Sequence, residues 1–143
     1  MKTVFTLLIG TILTTSLFAQ KQVKLDNDFV KIESIRQDCS DKKNGIYIQY
    51  ELLTITNKTA NSVTLDYINE AWYNGKCTAC DLTVDQRKEH QHSVTIPANS
   101  SVSGSCEVKD SGLRVYVKHL DFESESVLEK LDIKIINTNL QGQ

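Results

Sequence analysis

The chain has 143 residues, 16 Lys and Arg against 18 Asp and Glu, and a hydrophobic fraction of 40%. A formal net charge of −2 supplies no excess of Lys and Arg to neutralise a phosphate backbone, which argues against non-specific nucleic-acid binding. The length suits one domain with a core of its own, and no apolar run reaches the ~20 residues needed to cross a bilayer.

Residues 1–19 read as a cleaved signal peptide. Met1-Lys2 is a short basic start, Val4 to Leu17 an apolar run thinned by threonines, and Leu17-Phe18-Ala19 a small-residue cleavage site. Hydrophobicity collapses at Gln20-Lys21. The expected mature protein is one domain over residues 20–143, the 124 left when 19 of 143 are removed. Its expected location is periplasmic, cell-surface-associated or secreted. No cysteine follows the cleavage site directly, so no lipid anchor is expected there.

From there on the chain reads as strands. Gln20 to Asn27 is polar and expected as a loose lead-in. A strand near Phe29–Ile35 meets Asn44-Gly45, a pair that supplies the positive φ of a tight hairpin. Ile46, Ile48, Tyr50 and Leu52 alternate, and the phase slips at Leu52-Leu53, as at a β-bulge. Val63, Leu65 and Tyr67 repeat the pattern, with Ile68 and Trp72 in the other phase. Asn74-Gly75 marks a second hairpin. Val94 and Ile96 alternate until Pro97, which lacks an N–H for the ladder. Val102, Cys106 and Val108 share one parity, as do Leu113, Val115 and Val117, with Tyr116 opposite in phase and placed toward solvent. Leu131, Ile133 and Ile135 close the series. About seven to eight strands, with turn signals every 8–12 residues or so, point to an all-β antiparallel sandwich. The one competing helix signal lies near the C-terminus, over Ser124 to Leu131, with Ser124 as a cap.

Ile55-Thr56-Asn57-Lys58-Thr59-Ala60-Asn61-Ser62-Val63-Thr64-Leu65 resembles the strand–Asn turn–strand passage of exported immunoglobulin-like domains. Thr95-Ile96-Pro97-Ala98-Asn99-Ser100-Ser101-Val102 resembles another corner of such domains. The resemblance implies an immunoglobulin-like sandwich and carries no functional residue with it.

Four cysteines, Cys39, Cys77, Cys80 and Cys106, lie beyond the leader. In an exported chain an even count points first to disulfides. Three pairings are open, and the lean is to Cys77–Cys80 with Cys39–Cys106. A different use is a metal site: Cys77, Cys80, His90 and His92 form Cys-x2-Cys followed by His-x-His, donors that suit zinc or copper(I). On a strand His90 and His92 would share a side with Val94 and Ile96. His119 is the remaining histidine, and serines and acidic residues are too plentiful for counting to exclude a Ser/His/Asp grouping. No nucleophile elbow, His-Glu-x-x-His or phosphate loop is present. Asn57-Lys58-Thr59 and Asn99-Ser100-Ser101 match a glycosylation sequon, yet both fall where a turn wants Asn.

The expected function is therefore a non-enzymatic binding or accessory module of the bacterial cell envelope, with a protein partner, no cofactor and no nucleic acid. The alternative is a periplasmic zinc- or copper-binding protein.

Overall fold

A computed structural model describes residues 21–41, 43–107 and 112–141; the signal peptide expected at 1–19 lies outside them. The elements, in chain order, are β1 (Gln22–Asp26), β2 (Val30–Asp41), β3 (Ile46–Asn57), β4 (Ser62–Tyr73), β5 (Lys76–Cys77), α1 (Val84–His90), β6 (Gln91–Ile96), β7 (Ser101–Ser103), β8 (Arg114–His119) and β9 (Leu128–Gln141). All strand pairs are antiparallel. The first sheet runs β1-β2-β3, with β7 and β8 sharing the far side of β3. The second centres on β4, flanked along its length by β9 and on the other side by β5 and β6. The expected β-sandwich is the fold. Val30, Ile32, Leu53, Ile55, Val115 and Val117 of the first sheet meet Val63, Leu65, Tyr67, Ala71, Ile96, Leu131 and Ile133 of the second in one apolar core.

Both Asn-Gly turns form. Asn74 and Gly75 take φ of 51° and 70°, which is the two-residue hairpin geometry with both central residues left-handed. Tyr73 and Lys76 pair directly across it. Asn57 is no acceptor surface: it is buried, its Nδ2 donates to the carbonyls of Asn61, Ile96 and Pro97, and its Oδ1 accepts from Thr59. The Asn therefore ties two turns, β3–β4 and β6–β7, at one end of the sandwich.

Several expectations need correction. The polar lead-in is a strand, β1, paired with β2. The slip at Leu52-Leu53 is not a bulge, because the β2–β3 ladder is continuous from Val30↔Asn57 to Asp41↔Ile46. Instead β3 is apolar on both sides. Glu51, Leu53 and Ile55 face the core, while Leu52 is buried on the outer side, which it shares with Cys39 of β2. The helix signal at Ser124–Leu131 belongs to a strand. Leu128 pairs with Tyr73 and Lys130 with Trp72, so Glu129 is an extra, bulged residue. The bulge turns Leu128 and Leu131 inward together, three apart, and imitates helical spacing. The helix is α1. Thr83 caps it, its N–H and hydroxyl both donating to Gln86 Oε1, and α1 packs against β4, where Ile68 is buried in the phase opposite to the core residues.

The chain leaves the sheet after Ser103, so Cys106 does not extend the strand of Val102; Val108 lies outside the described residues. The crossing to β8 is pinned at both ends. Gly104 N donates to Leu53 O, and Leu53 N to Leu113 O, at 2.9 and 2.8 Å. At the far end Asn69 Nδ2 donates to Gly112 O at 2.7 Å. Gly112 has φ of 65°, and a Cβ there would overlap the His92 imidazole. Gly112→Ala is thus expected to cost about 1–3 kcal/mol in a denaturant melt, from backbone strain and overpacking together. In a double-mutant cycle with His92→Ala the clash with the ring is recovered, while the φ part and the contact with the position-92 Cβ stay.

Candidate functional site

The cysteine–histidine constellation is not assembled. Cys77 is bonded to Cys80, and Cys39 to Cys106, with Cα–Cα distances of 5.7 and 5.5 Å. No thiolate is left to ligate. Cys77 pairs opposite Trp72 and His92 opposite Tyr67, on the same side of β4. Five residues of strand separate them by roughly 17 Å, where a shared metal needs ligand bonds of about 2 Å. His90 and His92 do not share a strand face either. His90 ends α1, and only His92 stands on β6. Its imidazole lies 5.5 Å from the Tyr67 ring, and burial, then the nearby His90, holds its pKa below the ordinary value. Among the described residues no group of three or more His, Cys, Asp and Glu is placed to hold a metal ion. No helix among them is long and apolar enough to cross a membrane.

His119 does meet a serine and an aspartate, but not in catalytic order. Ser124 Oγ accepts from the His119 backbone N–H at 2.6 Å and lies 3.4 Å from the His119 carbonyl. The hydroxyl is held by the His119 backbone and lies 3.5 Å from the Tyr116 hydroxyl, and neither the His119 imidazole nor Asp121 is among its hydrogen-bond partners. Asp121 Oδ1 is 3.9 Å from His119 Nδ1, beyond a hydrogen bond. What Ser124 does is fold the β8–β9 loop back onto the end of β8.

That fold-back builds an aromatic run. Tyr73 stacks obliquely on Tyr116 at 6.3 Å, Tyr116 meets His119 edge-on at 5.6 Å, and His119 stacks on Phe122 at 4.2 Å with 27° between planes. Tyr116 is half-buried rather than turned to solvent. Tyr73 Oη donates to Tyr116 O at 2.6 Å, and burial, with Tyr116 and Glu51 near, pushes its pKa up to about 12. The run starts at the core and ends in water. Phe122 is 58% exposed, Leu120 40% and Ile46 44%. Leu120 N donates to Tyr47 O, which sets Leu120 beside the start of β3. Asn74 Nδ2 donates to Glu125 O, so the β4–β5 turn closes over the same loop.

A second polar feature lies inside the sandwich. Glu51 is 2% exposed and faces the core. Lys24 Nζ reaches Glu51 Oε1 at 2.7 Å, Ser34 Oγ donates to Oε1 at 2.7 Å, and Arg36 Nε lies 3.4 Å from Oε2. Arg36 also donates to Leu128 O, which links the two sheets. Lys24 is the extra residue of a bulge, since Val23 pairs with Glu33 and Leu25 with Ile32. Lys24 keeps the inward phase of Gln22, which pairs with the buried Ser34, and the bulge lets Leu25 face the core opposite Ile32 as well. These groups line a cavity of about 330 Å³ between β1 and β9, with Glu129 and Asp132 on its rim. Every charge at its centre is paired, so the cluster reads as a structural hub.

No residue of the aromatic end except Tyr116 and His119, which follow the alternation of Val115 and Val117, stands out from sequence periodicity. Phe122 and Leu120 lie in a loop, where neither two- nor 3.6-residue repeats apply. The available signal was an apolar residue set between acids, Asp121-Phe122-Glu123. Comparison with known proteins adds nothing to the geometry: no family model, no curated protein and no solved structure matches the chain.

Proposed function

We propose that the chain is an exported, immunoglobulin-like sandwich that acts without catalysis, as a binding or accessory module of the bacterial cell envelope, and that it engages a protein partner through the β8–β9 end. The stacked His119–Phe122 pair carries this reading. A phenylalanine presented to solvent on a loop braced by Ser124 and Asn74 loses apolar contact in the free protein and gains it in a complex, and aromatic anchors of this kind dominate interface energetics. Leu120 and Ile46 extend the patch. Two disulfides support an oxidising compartment.

Site-specific photo-crosslinking in the native host tests it. A benzophenone amino acid at position 122 is expected to give a discrete protein adduct. The same probe at Asn99, in the turn at the opposite end of the sandwich, is expected to give none. Equal labelling at both positions, or none at 122, would remove the β8–β9 end as the binding surface.

A further inference from the structure

We infer that the partner seats an arginine side chain on the exposed Phe122 face of the His119–Phe122 pair, where the β8–β9 loop's carboxylates hold its guanidinium. This rests on the binding role proposed for that end and names the chemistry of what binds there.

Two stacked rings, 4.2 Å apart, leave one face of Phe122 to solvent, and the negative face of an aromatic ring attracts a cation within about 6 Å. The loop's charge has one sign. Asp121, Glu123 and Glu125 flank Phe122, and no Lys or Arg occurs from Leu120 to Val127. In a chain of net charge −2 that concentrates three negative charges in the loop that carries the exposed ring. Two other partly exposed rings carry one of the chain's own cations. Arg114 lies 4.5 Å from the centroid of Tyr50, and Lys130 lies 4.4 Å from that of Trp72. Among the described residues these two are the cation–ring contacts, and neither involves the His119–Phe122 pair. Among the described residues the exposed Phe29 and Phe122 both lack such a cation; of the two, Phe122 is the more exposed, 58% against 42%, and within three residues has only acids as charged neighbours, whereas Phe29 has Lys31.

Arginine fits better than lysine. Its planar guanidinium stacks flat on a ring and presents several in-plane N–H donors to carboxylates at the same time, whereas an ammonium is a point charge that keeps its water. A neutral aliphatic partner would satisfy Phe122 and Leu120 but leave the three carboxylates without compensation.

The probe is a short capped Gly/Arg peptide, with lysine and citrulline counterparts, titrated into the full protein while aromatic resonances are followed by NMR. The His119 and Phe122 ring signals are expected to shift with the arginine peptide, less with lysine and not with citrulline. Phe122→Ala is expected to weaken binding about 3- to 30-fold, the range of a desolvated cation–ring contact. Asp121→Asn with Glu123→Gln and Glu125→Gln is expected to abolish the dependence on salt. Phe122 is exposed, so the fold survives its loss, and a circular dichroism melt checks this. Shifts scattered over other acidic surfaces, or an affinity unchanged in Phe122→Ala, would overturn the inference. A response to citrulline equal to that with arginine, or to a neutral oligosaccharide in its place, would overturn it too. Adducts at position 122 without arginine binding would sink this inference alone and leave the binding role standing.

Discussion

Replacing Cys39 and Cys106 together by alanine is expected to lower the free energy of unfolding by about 4 kcal/mol, and replacing Cys77 and Cys80 by about 2 kcal/mol. The two bridges close loops of very different length: sequence separations of 67 and 3. A cross-link stabilises chiefly by removing conformations from the unfolded chain, and that loss grows with the logarithm of the loop. The long bridge has a local task as well. It holds the segment between β7 and β8 to β2, on the side of the first sheet where Leu52 is buried. Arg114 Nη1 donates to Cys106 O at 2.9 Å and its guanidinium covers Tyr50, so the bridge, the cation and the ring form one outer patch. Guanidinium melts at constant slope decide the matter. A domain of this size holds about 5–15 kcal/mol in all, so both variants should be measurably less stable, the first by about twice as much as the second. Equal losses would mean that the short bridge carries a role in the folded state that its loop length does not give it.

Glu51→Ala is the second large effect, expected at about 3–5 kcal/mol, because it leaves Lys24 charged and 12% exposed without a counter-ion. The stability should come back in large part when Lys24→Met is added to Glu51→Leu, since an apolar pair of similar volume replaces a buried ion pair at little cost. Acid titration gives an independent check. Burial alone would push the Glu51 carboxyl up, but hydrogen bonds from Lys24 and Ser34 and the charges of Lys24 and Arg36 outweigh it and hold the pKa below its ordinary value of 4.5. A carboxyl lowered in the folded state contributes stability that is complete above its unfolded pKa and is lost as pH falls through the folded one. Wild type should therefore lose stability on acidification below about pH 4.5, and Glu51→Gln should show a shallower decline over the same range. A decline of the same steepness would place the acid-sensitive group elsewhere.

The strands that alternate cleanly, Val63–Leu65–Tyr67 and Val115–Val117, were readable because one face is buried and the other is wet. Asn44-Gly45 and Asn74-Gly75 were readable because few residue pairs accept positive φ. Misreadings cluster where tertiary structure adds a second apolar side or an extra residue. Leu52 looked like a slip because it is buried on the outer side of its sheet. Leu128 and Leu131 looked helical because Glu129 bulges between them. Lys24 and Glu51 could not be joined from sequence, since 27 positions and a bulge separate them. The aromatic end was legible only in its strand members. His119 was visible as a histidine following β-period residues, whereas Phe122 reaches it by a loop fold-back that depends on one serine hydroxyl. The helix was missed although Thr83 and Gln86 stand at capping-box spacing, because a seven-residue helix between two strands offers too little period to outvote its neighbours.

β9 is the longest strand, 14 residues, and among the described residues it pairs only with β4. A straight edge of that length is a template on which further chains can add, the growth step of a fibril. Here the template is interrupted. Glu129 and Ile136 are both unpaired extras, so the backbone kinks twice and offers only short stretches in register. Lys130 and Lys134 place charge along the same rim. The irregularity that disguised this strand in its sequence also makes its open edge a poor template for a second copy.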